Sequence, residues 1–247
     1  MQQDAFQLFG PPARVGPAGH VPLPAERLFH LVAYLAASGD WLPRDRLAAL
    51  LYPDCDNAAA RRNLRKLLFR ATPQLPSIEA RADAVRLRID TDVRAFEAAI
   101  EQRDWARAVE LYRGPFADGL EFKAPAPYEA WLRFERDRLA ALFRAVAAER
   151  LAQLDDANER AQLARRWLAL EPLDEDALIA LAEATVASGR VAEAQRLASE
   201  FAQRLKAELG VEPSARVRDL AQPTPTSRTD APRLGRIQTR PPRANMT

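Results

Sequence analysis

The sequence predicts a mainly α protein with a small β component at its start and an all-helical repeat region after it. Three observations carry this expectation. Apolar residues make up 48% of the chain while glycine is scarce, at 9 residues, and the abundant alanine favours helix. Short runs with strand alternation fall before residue 92. From Asp92 to about Leu220, apolar side chains return at three- and four-residue steps, and related segments recur.

The elements follow in order. "AFQLFG" is a short run with strand character, and "PPARVGPAGHVPLP" breaks into turns with one short strand around His20–Leu23. Leu28, Leu31, Val32 and Leu35 then recur at helical spacing, and Gly39 stands where a C-cap belongs. In "WLPRDRLAALLY", Pro43 fits a first helical turn, and Leu47, Leu50 and Leu51 form an apolar stripe. "PDCDN" interrupts, and Asp56 or Asn57 can cap a third helix by accepting from its free N–H groups. Thr72–Pro73 ends that helix, because a residue before proline avoids helical geometry. "AVRLRID" alternates Val85, Leu87 and Ile89 against Arg86 and Arg88, a half-buried strand with room for a partner near Ile78.

Beyond Asp92, "DWARAVELY", "NERAQLARRWLALEP" and "GRVAEAQRLASEF" resemble one another. Ala161 to Ala194, and Ala164 to Leu197, are steps of 33 residues. Helix-pair repeats of the tetratricopeptide (TPR) kind use about 34. "GPFADGLEFKAPAP" makes the first unit irregular. Trp105, Tyr112, Trp131 and Trp167 fall at helical positions and are expected in the repeat core. The last stretch, "QPTPTSRTDAPRLGRIQTRPPRANMT", has little to bury. The expected organisation is therefore a winged helix-turn-helix with a small β-sheet and wing hairpin over residues 1–91, an all-α TPR-like repeat domain over 92–220, and a disordered tail or linker over 221–247.

The chain carries a net charge of +2, unevenly spread: +2 over residues 1–92, −4 over 93–220 and +4 over 221–247. The third helix, "NAAARRNLRKLLFRA" (57–71), has five cations and no acid. On a helical wheel Ala60, Leu64, Leu67, Leu68 and Ala71 point inward, while Arg62, Arg65, Lys66 and Phe69 point outward. Arg61, Arg70 and Asn63 flank the inward stripe. Like charges at i,i+4 cost a few tenths of a kcal/mol each, which an anionic partner would reverse. Solvation alone also produces basic faces. The order of elements, however, is that of a winged helix-turn-helix, whose third helix enters the major groove. Arg61, Arg62, Arg65, Lys66 and Arg70 could then reach guanine edges or phosphates, and Asn63 could read adenine. Arg81, Arg86 and Arg88 would form the wing against the DNA backbone or minor groove. Phe69 either touches a thymine methyl group or packs under the wing; packing is the expected placement.

In "RDRLAALLYPD" (44–54), "RRNLRKLL" (61–68), "AVRLRID" (84–90), "LYRGPFADGL" (111–120), "YEAWLRFERDRL" (128–139), "LEPLDEDAL" (170–178) and "AELGVEPS" (207–214), the chain resembles the bacterial transcriptional activator domain proteins, the SARP-type regulators. These segments keep the family's order over about residues 5–220. The resemblance implies sequence-specific binding of double-stranded DNA, recruitment of RNA polymerase, and a helical domain that steers dimerisation or activation, so a homodimer is among the partners it admits. Where relatives carry another basic, leucine-spaced turn, this chain has "FRATPQLPS", which shortens the third helix. Many relatives continue into an ATPase module and sensor repeats. The chain is either a short member or the N-terminal piece of a longer one.

Other chemistries find little footing. Neither phosphate-loop fingerprint occurs. His20 and His30 sit in different elements, which argues against a zinc site. Cys55, the single cysteine, forms no internal disulfide and suits a reducing, cytoplasmic setting. "MQQDAFQLFG" lacks a basic n-region before an apolar core, so no secretory signal is expected, and no apolar run nears the ~20 residues of a membrane helix. The expectation is a non-enzymatic, cofactor-free, cytoplasmic transcription regulator acting as an activator. The alternative is a TPR-like protein-interaction scaffold whose winged helix does not bind DNA.

Overall fold

A computed structural model of the chain describes residues 5–16, 19–73, 75 and 77–222. Three short strands open it: β1 (Ala5–Gln7), β2 (Ala13–Gly16) and β3 (Gly19–Pro22). β1 pairs antiparallel with β2, and β2 with β3. Helices α1 (Arg27–Ser38), α2 (Arg44–Leu51) and α3 (Asn57–Ala71) follow, with the two-residue strand β4 (Leu42–Pro43) before α2. Gly39 adopts φ 73° and returns its N–H to Leu35, the left-handed cap that glycine takes without a Cβ penalty.

Strands β5 (Ile78–Ala80) and β6 (Ala84–Leu87) form the wing hairpin, and β4 adds to it in the order β4-β6-β5. The "AVRLRID" run is not one strand. After β6 the chain leaves the hairpin, and β7 (Asp90–Thr91) joins the other sheet, parallel to β1. Alternation shows which side chains turn inward but carries no information about which sheet they reach. That first sheet has the order β3-β2-β1-β7.

The rest is helical: α4 (Asp92–Glu101), α5 (Trp105–Leu111), α6 (Ala126–Ala152), α7 (Ala157–Leu170), α8 (Glu175–Ala187), α9 (Val191–Leu209) and α10 (Ala215–Ala221). Side-chain caps start most of them. Thr91 accepts from Arg94 N–H, Asp104 from Arg107, Asp156 from Asn158 and Glu159, Asp174 from Ala177, and Ser214 from Val217. Each cap satisfies an N–H that the helix leaves free. Ala161 on α7 and Ala194 on α9, the two residues of the 33-residue step, are both buried. Ala221 closes α10; from residue 223 on, the segment expected as a tail lies outside the described residues.

One hydrophobic core runs from Phe6 to Ala177, through both the winged helix and the first repeats. Rings thread it. Phe9 lies 5.3 Å from Phe96 and 4.8 Å from Tyr112, which stacks on Phe143 at 4.2 Å; Trp167 meets Phe143 edge-on at 6.4 Å. Tyr112 and Trp167 are buried, as expected of repeat-core aromatics, and Trp105 and Trp131 pack half-buried against the same core. The irregular segment after α5 folds back on the first sheet. Gly10 N–H donates to Pro115 C=O, Ala117 N–H to Leu8 C=O and Asp118 N–H to Gly10 C=O. A Cβ on Gly114 would stand 3.2 Å from Gly10 Cα, so two glycines permit this backbone approach. Buried Asp92 clamps the same place, accepting from Leu8 N–H (2.8 Å), Phe9 N–H (3.1 Å) and Arg113 (3.0 Å).

Candidate nucleic-acid interface

The basic helix is held from beneath. Asp56 caps α3 by accepting from Ala59 N–H at 2.8 Å. Ala60, Leu64, Leu68 and Ala71 are buried and Leu67 is half-buried, against a core that includes Leu47 and Leu51 of α2. The wheel drawn from the sequence therefore holds for the inward face. The helix stops at Ala71, where Thr72 N–H returns to Leu68 C=O.

The outward face is divided. Arg62, Arg65, Lys66 and Arg70 are exposed, and none of them makes an ion pair with any described residue. Arg61 differs. Its guanidinium donates twice to Asp45 of α2, both contacts at 2.6 Å, and that hydrogen bonding, with the carboxylate charge, raises its pKa above the ordinary value. Asn63 is half-buried, and its amide donates to Cys55 Sγ at 3.6 Å across the helix-helix turn. Phe69 does not pack under the wing: it is 81% exposed. It lies on the same side as Arg62, seven residues and nearly two turns away, whereas the groove shared with the hairpin is lined by Arg61 and Arg65 on the neighbouring flank.

The wing is more nearly neutral than its arginines suggest. Arg86 donates to Glu79 at 2.8 Å, with a second contact at 2.6 Å, and Arg88 approaches the same carboxylate at 3.5 Å. Hydrogen bonding from Arg86 is the largest influence lowering the Glu79 pKa, and Arg88 adds to it. The guanidinium of Arg81 lies 3.9 Å from the Trp41 ring centroid and that of Arg86 lies 4.5 Å from it, close enough for cation–π attraction. Arg44 fixes the hairpin turn, donating from Nε to Arg81 C=O (2.9 Å) and from its backbone N–H to Asp83 C=O (2.8 Å).

Helix and hairpin share an open groove of about 960 Å³, with Arg61, Leu64 and Arg65 on one wall, Ala82, Asp83 and Ala84 on another, and Trp41, Pro43, Arg44 and Asp45 between them. The ridge thus stands beside the wing. Two of its organisers, Asp45 and Trp41, escape sequence reasoning. Asp45 lies 16 residues from Arg61, beyond any local spacing rule. A lone tryptophan between two helices, in "GDWLP", is the only signal for Trp41.

Among the described residues, no group of three or more His, Cys, Asp or Glu side chains is placed to hold a metal ion, and no helix is long and apolar enough to cross a membrane.

Comparison with known proteins adds three findings. A family model described as bacterial transcriptional activator domain matches residues 77–223, more than half of the chain and starting at the wing hairpin. No curated protein matches. Among solved structures, the chain is similar to Mycobacterium tuberculosis EmbR in complex with a low-affinity phosphopeptide, with a TM-score of 0.61 and 20% sequence identity over 90% of this chain. The chain spans 64% of the EmbR chain, and at this identity the likeness is one of fold.

Proposed function

The chain belongs to the bacterial transcriptional activator domain family, and from that premise we propose that it is a sequence-specific DNA-binding regulator acting as an activator. Helix α3 enters the major groove, the β5–β6 hairpin lies along the DNA backbone, and the helical repeats contact RNA polymerase. The observation that carries this reading is the row of four exposed cations, Arg62, Arg65, Lys66 and Arg70, without a carboxylate partner among the described residues. An uncompensated row of this kind is stabilised by a polyanion, and release of condensed counterions from duplex DNA supplies the affinity. Base-edge contacts from the same helix supply the choice of sequence.

The test is a mobility-shift assay. Arg62→Ala or Arg65→Ala should weaken binding to a selected duplex about ten-fold or more, since a good bidentate contact is worth ~1–3 kcal/mol. Both side chains are exposed, so the fold should be untouched. Unchanged binding rejects the assignment.

A second reading draws on the wing. With Arg86 and Arg88 sharing Glu79, and Arg61 held by Asp45, most of the wing charge is offset, and α3 carries the largest group of exposed cations without a carboxylate partner among the described residues of the winged helix. A protein-interaction scaffold with a silent winged helix would look alike there. It would show no salt-dependent affinity for random duplex, whereas the regulator would.

A further inference from the structure

Phe69 is the most exposed of the large apolar side chains described, at 81%. A single exposed apolar residue is ordinary on a protein surface. The surroundings of this one are not. It shares its arc of α3 with Arg62, Arg65 and Lys66, and all of these are exposed. Any apolar protein surface that covered the ring would also bury those unpaired cations, at a desolvation cost a single phenyl group cannot offset. A duplex groove removes that conflict, because its phosphates accept the cations while its floor meets the ring. Phenylalanine has no donor or acceptor, and the apolar group that a base edge offers in the major groove is the C5-methyl of thymine. Along the helix axis Phe69 lies about 10 Å beyond Arg62, at ~1.5 Å per residue. That span corresponds to roughly three base-pair steps.

We infer that Phe69 is a specificity-determining residue that reads a thymine methyl group in the major groove. The inference rests on the DNA-binding reading above and deepens it: the recognised sequence contains a thymine placed a few base pairs from the base or phosphate that Arg62 contacts.

The experiment uses a duplex selected from a random pool by the wild-type chain, in which each thymine in turn is replaced by deoxyuridine. The exchange removes the methyl group and leaves every pairing atom. At one position or more, wild-type affinity should fall about four-fold, the worth of one methyl group taken out of water. Phe69→Ala should bind the thymine and uracil duplexes equally, and Phe69→Leu should keep part of the discrimination. The ring is exposed, so the thermal midpoint of Phe69→Ala should match that of wild type. Wild-type binding that ignores every methyl group overturns the inference, as does an unchanged thymine-to-uracil ratio in Phe69→Ala; both leave DNA binding itself standing. A wild-type chain that binds no duplex overturns the DNA-binding reading and this inference with it.

Discussion

Replacing Asp45 by Asn should make the protein bind random duplex more steeply with salt. The bidentate pair at 2.6 Å commits Arg61 to Asp45, and an amide in place of the carboxylate leaves the guanidinium uncompensated. Four cations on α3 are unpaired already: Arg62, Arg65, Lys66 and Arg70. Each phosphate neutralised contributes ~0.9 to the slope of log affinity against log salt. If all four take phosphates, α3 supplies a slope of about −3.6, and affinity falls roughly 150-fold between ~50 and ~200 mM salt. With Arg61 released the slope steepens to about −4.5 and the loss to roughly 500-fold. Lys66→Ala moves the other way, to about −2.7 and roughly 40-fold. Fluorescence anisotropy on a labelled random duplex, titrated with salt, reads all three slopes. The differences matter more than the absolute values, since wing arginines add a common offset. The pair is solvent-exposed, at 58% and 65% of its two side chains, so its loss costs the fold at most ~1 kcal/mol. Equal slopes for wild type and Asp45→Asn would show that Arg61 does not face the duplex. A slope near zero in all three would remove the counterion mechanism altogether.

Two further outcomes concern the junction between the winged helix and the repeats. His30 is buried, with Nε2 2.8 Å from Leu120 C=O; burial, its largest influence, lowers the His30 pKa below the usual imidazole value. The unfolded chain therefore takes up the proton first, so stability is whole above about pH 6.5 and is lost as pH falls through the depressed folded value. Urea midpoints measured from about pH 7.5 down to 5 should drop for wild type and stay flatter for His30→Gln; parallel profiles would clear His30 of the effect. Asp92→Ala should lower the unfolding free energy by about 3 kcal/mol, because it leaves the Leu8 and Phe9 N–H groups without an acceptor and Arg113 without its carboxylate. Chemical denaturation measures it, and a loss under about 1 kcal/mol would mean that water replaces the carboxylate freely.

The period of the sequence determined much of this protein. Leu64 and Leu68 fall on the buried face of α3 because a helix repeats every ~3.6 residues, and that repeat is written in the chain. The same holds for the cap at Asp56, which is local, and for the 33-residue step from Ala161 to Ala194, two residues that are both buried. The tertiary structure alone decided which of the outward groups are free. Arg61 meets a carboxylate on another helix, Arg81 and Arg86 stack on Trp41, the run 84–90 divides between two sheets, and Phe69 finds no cover. Periodicity records the direction in which a side chain leaves its own backbone. What waits there depends on segments brought close by folding, and no short window of sequence contains them.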